Sequence, residues 1–144
     1  ILGAEHRLHP LYQQEIMDLA AELGIAEDLM LPGYVNNPFA YMARAGVFVL
    51  SSTHEGLPGV LIQALACGCP TVSTDCPSGP REILENGRYG ALVPVGDDAA
   101  MAAAIEQTLD KPIASEVLKA RADTFSIDRA VDSYLQVLLR RDST

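Results

Sequence analysis

A carboxylate, two glycines and an amide gather around one predicted strand-to-helix junction, Ser51-Ser52-Thr53-His54-Glu55-Gly56-Leu57-Pro58-Gly59-Val60-Leu61-Ile62-Gln63. A polar loop leaves the apolar run Val47-Phe48-Val49-Leu50 and enters a helix predicted over residues 58–67. Gly56 and Gly59 allow a ligand to approach the backbone closely. The first amides of the helix lack intrahelical partners and carry partial positive charge, which makes an anion site without any lysine. The alternative is a plain tight turn whose glycines serve geometry alone. Glu55 is the one carboxylate between Asp28 and Asp75. Beside an anion site, a carboxylate accepts from two sugar hydroxyls at once; otherwise it is a solvated surface group. Gln63 lies one turn beyond Gly59 and is the only polar side chain in an otherwise apolar helix, Val60 to Ala66. A helix apolar on all sides is expected to be buried. A buried amide needs partners, either nearby backbone or a ligand hydroxyl.

A second loop, Thr74-Asp75-Cys76-Pro77-Ser78-Gly79-Pro80-Arg81-Glu82-Ile83, repeats this arrangement. Ser78, Gly79 and Arg81 could face a ligand there, with an ion pair as the equal alternative for Arg81. Other chemistries find less support. His6, His9 and His54 have no metal-binding spacing to a carboxylate or cysteine and read as surface or loop residues. The three cysteines, Cys67, Cys69 and Cys76, are too few and odd in number for a disulfide framework. Cys67-Gly68-Cys69 lacks a zinc-knuckle spacing and a fourth ligand, so the thiols read as small core side chains. No metal is expected. The G-x-S-x-G elbow, the Walker lysine and the G-x-G-x-x-G fingerprint are absent from the sequence.

The elements that must position these loops alternate. Helices are predicted over residues 10–23, 38–45, 58–67, 79–84, 97–109 and 127–140. Short strands are predicted at Ile1-Leu2-Gly3, Leu29-Met30-Leu31, Val47 to Leu50, Thr71 to Thr74, and Ala91-Leu92-Val93. The last helix carries an N-cap, Ser126, and an apolar stripe of Ala130, Val131, Tyr134, Leu135, Leu138 and Leu139. Alternation of this kind predicts an α/β, doubly wound, Rossmann-like parallel sheet with helices on both faces. Ligands bind such sheets outside the carboxyl ends of the strands, here the loops after Leu31, Leu50 and Thr74. The chain of 144 residues, 49% apolar and 20% charged, is expected to be one domain over residues 1–144 with a sizeable core. Its net charge of −9 argues against a nucleic-acid partner and against a polybasic membrane anchor. With no long apolar run and no signal peptide, a cytoplasmic setting is expected.

The stretch from Glu55 to Asp75 resembles the C-terminal domain of retaining, GT-B-fold glycosyltransferases (glycosyl transferases group 1, family 4). That family carries a Glu, seven residues, a second Glu, and then A-x-A-x-G-x-P-V-x-x-x-D. Leu31-Pro32-Gly33-Tyr34-Val35 is similar to its L-G-Y-V turn. Cys76 to Leu84 is similar to its C-P-x-G-P-x-E-I-L loop, and Tyr89 to Asp97 to its G-x-L-V-P-x-G-D segment. Gly3-Ala4-Glu5 stands where the family has G-x-G.

The resemblance implies a domain that binds a UDP- or GDP-sugar donor without a cofactor. Glu55 would contact donor-sugar hydroxyls and carry the catalytic role. Gln63 stands at the position of the second Glu, which contacts the ribose; a neutral amide still accepts a hydroxyl but lacks the charge. His54, Gly56, Leu57, Gly59, Val60, Ser78 and Gly79 would line the donor, with the backbone of Gly33, Tyr34 and Val35 near the base. The family's G-R-L-x-x-x-K-G segment, whose Arg and Lys neutralise the diphosphate, is not in this sequence. Nor is the N-terminal domain that holds the acceptor and through which the whole enzyme would meet a membrane. The expectation is therefore the C-terminal half of a GT-B fold without its first βα unit, inactive by itself. A nonhydrolysing sugar-nucleotide 2-epimerase domain and a non-catalytic doubly wound binding module are the other two readings.

Overall fold

Three short strands, β1 (Phe48–Leu50), β2 (Thr71–Thr74) and β3 (Ala91–Val93), pair in parallel in the order β1-β2-β3. The register sets Val49 beside Val72 and Ser73 beside Leu92. These come from a computed structural model that describes residues 12–139. Its contacts divide the chain into two units, residues 1–38 and residues 39–144.

In the first unit, α1 (Tyr12–Glu22) is followed by a single 3-10 turn at Ala26–Asp28. Of the α1 apolar stripe only Ala20 is buried. The strand expected at Leu29-Met30-Leu31 does not form a ladder. Pro32 cannot donate to one, and the 3-10 turn uses the residues just before it. The strand expected at Ile1-Leu2-Gly3 lies outside the described residues.

The second unit holds the sheet and six helices among the described residues: α2 (Phe39–Met42), α3 (Gly59–Ala66), α4 (Pro80–Ile83), α5 (Asp98–Asp110), α6 (Ser115–Asp123) and α7 (Ile127–Leu138). Strand alternation sorts the core into two faces. Phe48, Leu50 and Leu92 point to one face and pack against Leu61 and Leu65 of α3, Ile83 and Leu84, and Leu118 of α6. Val72, Ala91 and Val93 point to the other face and pack against Ala104, Met101 and Ile105 of α5. All four residues of β2 are buried, as expected of a central strand covered on both sides. Leu61, Leu65 and Leu118 have no exposed surface, and each contributes about 2 kcal/mol through burial.

Helix α6 was not expected from the sequence. Its polar residues Ser115, Glu116, Lys119, Arg121 and Asp123 dilute the periodicity, and only Leu118 and Ala122, four apart, are buried. Tertiary partners hold it. The Arg121 guanidinium donates to the carbonyls of Glu82 (2.6 Å) and Ile83 (2.9 Å), and lies over the rings of Tyr89 and Phe125. Gly68 ends α3 with φ +72, and α6 crosses so near that a Cβ there would stand 1.9 Å from Ser115 Oγ. Helix α7 keeps its predicted cap, with Ser126 Oγ accepting from the Arg129 amide. Its apolar stripe, expected to face a core, is exposed: no residue of α7 is buried.

Candidate functional site

Parallel pairing brings the carboxyl ends of β1 and β2 side by side, so the loops that leave them are neighbours. The loop after β1 carries Glu55, which is half-buried. Its Oε1 accepts a hydrogen bond from the Ser52 hydroxyl at 2.7 Å. The Ser52 carbonyl in turn accepts from the hydroxyl of Thr74, the last residue of β2. No other partner of the Glu55 carboxylate lies among the described residues.

The loop after β2 closes against the same turn. Ser78 and Gly79 both have left-handed backbones, with φ of +66° and +81°. A non-glycine residue in that region is strained, which happens where surrounding structure over-determines it. The reason lies at Gly79: a Cβ there would stand 2.4 Å from both the Gly56 carbonyl oxygen and Pro58 Cδ. Only a glycine lets the two loops approach this closely. Asp75 and Arg81 form a two-point ion pair, with Arg81 Nε donating to Asp75 Oδ1 at 3.0 Å and Nη2 donating to Oδ2. Of the two options for Arg81, the ion pair is the one realised. With Ser78, Gly79 and Glu82 this pair lines an open cavity of about 540 Å³.

Helix α3 begins between these loops. Pro58 is its N-cap and no side chain caps it, so the amides of Gly59 and Val60 face outward from the first turn. The burial expected for α3 is corrected in one respect. Leu61, Ala64 and Leu65 are buried, but Gln63 is exposed, together with Gly59 and Ala66 on the same strip. Among the described residues no element of the second unit buries that side of α3. Val60 is half-buried, whereas Leu57 and His54 are exposed. The His54 ring is within hydrogen-bond distance of Thr53 Oγ1, at 3.4 Å.

The structure therefore groups His54, Glu55, Gly56, Leu57, Gly59, Val60, Gln63, Ser78 and Gly79 at one edge of the second unit. Gly33, Tyr34 and Val35 belong to the first unit, where Tyr34 is exposed and Val35 half-buried. Two residues hydrogen-bonded into this cluster, Ser52 and Thr74, were not singled out from the sequence. Ser52 had a signal, since Ser-x-x-Glu spacing lets the two side chains meet. Thr74 had none, because its partner lies 22 residues away. Among the described residues no group of His, Cys, Asp and Glu could hold a metal ion. All three cysteines are free. Cys69 packs with Met42 and Ala64, and burial pushes its thiol pKa up. Among the described residues no helix is long and apolar enough to cross a membrane.

The model of the family described as glycosyl transferases group 1 matches residues 1–111. The chain is 36% identical over 112 residues to an N-acetylgalactosamine-N,N'-diacetylbacillosaminyl-diphospho-undecaprenol 4-alpha-N-acetylgalactosaminyltransferase of Campylobacter jejuni, covering 78% of this chain and 31% of that protein. It is 34% identical over 125 residues to the lipopolysaccharide core biosynthesis glycosyltransferase LpsE of Rhizobium meliloti, covering 83% and 36%. The chain thus spans about a third of the length of these relatives. Among solved structures, sucrose-phosphate synthase from Thermosynechococcus elongatus superposes with a TM-score of 0.80 at 23% identity, covering 96% of this chain and 37% of that one. Anabaena Alr3699/HepE in complex with UDP superposes at 0.78 and 20% identity, covering 94% and 40%. At such identities the likeness shows the fold: a doubly wound α/β unit like one part of a GT-B glycosyltransferase.

Proposed function

The chain belongs to the glycosyl transferases group 1 family, and from that premise we propose that it supplies the donor-binding part of a retaining glycosyltransferase. The donor is a UDP- or GDP-sugar, and the hexosyl group passes to a glycan, a lipid or another acceptor. The observation that carries this reading is the Glu55 carboxylate, half-buried and held by Ser52, beside the uncapped start of α3. A carboxylate with one oxygen committed and one available accepts hydroxyls of a sugar. The α3 amides and helix dipole complement the negative diphosphate.

Each remaining residue has a place in that reading. Gly56, Leu57, Gly59 and Val60 present backbone to the phosphate and sugar. Exposed Gln63, one turn on, accepts a ribose hydroxyl without adding charge. Ser78 and Gly79 close the sugar side, and His54 borders it. Arg81 is neutralised by Asp75, so among the described residues the diphosphate charge falls mainly to helix amides. Donor affinity of residues 1–144 alone is therefore weak, and the acceptor is bound by another domain. Catalysis in this half is positioning and electrostatic stabilisation rather than covalent chemistry. The similar HepE structure is a complex with UDP, which supports a nucleotide-sugar as the kind of ligand.

Calorimetric titration of the full-length protein with UDP-glucose, UDP-N-acetylglucosamine and GDP-mannose tests the proposal. Binding of at least one is expected, and binding of none, nor of other UDP- or GDP-sugars, would sink it. Product analysis then separates transfer, which releases free nucleotide, from 2-epimerisation, which returns an isomerised sugar nucleotide.

A further inference from the structure

Two hydrogen bonds in series connect the centre of the sheet to Glu55. Thr74, 3% exposed, ends β2 and pairs with Val93 of β3, so its position is set by the ladder. Its single hydroxyl proton has two carbonyls in reach, Leu50 at 3.4 Å and Ser52 at 2.5 Å, and the nearer receives it. Ser52, held at its carbonyl, donates its own hydroxyl to Glu55 Oε1 at 2.7 Å. On the other side of the turn, Gly79 abuts the Gly56 carbonyl and Pro58. The Glu55-Gly56 turn is thus clamped between an element of β2 and the loop that follows it.

Resting on the donor-site reading above, we infer that Ser52 is the positioning residue of the site, acting through Glu55. A glutamate side chain has several rotatable bonds, and ordering them when a ligand binds costs entropy. Ser52 orders them beforehand. It occupies Oε1, which leaves Oε2 as the acceptor for a sugar hydroxyl. The Ser-x-x-Glu spacing matches a helix-capping box, but here it caps nothing: the N-cap of α3 is Pro58, three residues after Glu55. The pair therefore serves the loop, and its effect falls on whatever Glu55 binds. Thr74 acts one step further back, by fixing where Ser52 stands.

The experiment is a double-mutant cycle in the full-length protein, read by calorimetry with the nucleotide sugar that binds and, separately, with free UDP and GDP. Ser52→Ala is expected to weaken nucleotide-sugar binding about tenfold, equivalent to about 1.4 kcal/mol. Free UDP or GDP carries no sugar for Glu55, so its affinity is expected to stay the same. Ser52→Thr keeps a hydroxyl and is expected to restore binding to within about twofold, and Thr74→Val to weaken it about threefold, as a step further from the carboxylate. In a Glu55→Ala background, Ser52→Ala is expected to add nothing, the mark of two residues acting as one unit. Equal losses for nucleotide sugar and free nucleotide would overturn the inference, as a general structural effect. So would losses that multiply in the double mutant, or a loss on Glu55→Ala with none on Ser52→Ala. Binding of no nucleotide sugar by the unmutated protein would instead strike the donor-site reading itself, and the inference with it.

Discussion

The two strand-to-helix loops at the carboxyl edge share a pattern and differ in use. Each leaves a parallel strand, passes a polar stretch with glycine and proline, and starts a helix. The loop after β1 leaves acceptors and donors outward: Glu55 has one oxygen without a partner among the described residues, and α3 starts uncapped. The loop after β2 turns its groups on itself. Asp75 and Arg81 pair with each other, Cys76 is buried, and Gly79 is pressed against its neighbour. In the proposed reading the first loop offers its free groups to the ligand, while the second braces the first and borders the sugar with Ser78 and Gly79. The difference arises from packing, since both read alike as sequence.

Substitutions can break or sharpen this contrast. The largest expected effect is at the buttress. Gly79→Ala forces a Cβ against the Gly56 carbonyl and Pro58 at a left-handed backbone position, and should lower stability by about 3 kcal/mol. Chemical denaturation measures this, and an unchanged midpoint would show that the two loops are not interlocked. Next comes the ligand-facing carboxylate. Glu55→Gln should weaken nucleotide-sugar binding by about 2 kcal/mol, the size of a hydrogen bond to a charged group, with little change in thermal stability. Calorimetry and a melting curve on the same preparation check both halves. A smaller effect of opposite sign is expected at Gln63. Because its side chain is exposed on the Gly59 strip, Gln63→Glu costs no burial, and its charged carboxylate should tighten donor binding by about 1 kcal/mol. The smallest effect belongs to the ion pair of the second loop. Arg81 is largely exposed, so Asp75→Asn should lower stability by no more than about 0.5 kcal/mol and leave donor affinity nearly constant. A large drop in affinity there would move Arg81 from the buttress to the ligand.

Much of the framework was legible beforehand, and the exceptions share a cause. Thr71–Thr74 and Ala91–Val93 are strands with the predicted bounds, because β-branched and apolar runs between turn residues leave few alternatives. The start of α5 was legible in Asp97, whose carboxylate accepts from the Ala100 amide at 2.9 Å. Helix α6 was not, since its hold on the molecule is two buried side chains and the Arg121 contacts to residues 82, 83 and 89. Leu29-Met30-Leu31 is apolar enough for a strand, yet a strand exists only where a ladder receives it. The exposed stripe of α7 is the converse: an amphipathic pattern states what a face can bury and leaves open what meets it.

At the site, Glu55 and the glycines around it could be picked out because their types and spacing limit the chemistry they perform. The fate of Gln63 could not, because burial on a helix depends on which neighbours cover which side. By itself, then, the sequence determined where the backbone turns, where most of the helices start, and which side chains own groups that suit a sugar hydroxyl or an anion. These follow from local geometry and the hydrogen-bonding groups each residue owns. Only the tertiary structure decided that Thr74 anchors Ser52 and that Gly79 braces the turn from behind. Those contacts join residues far apart in the chain, and their distances depend on the strand register and on how two loops pack.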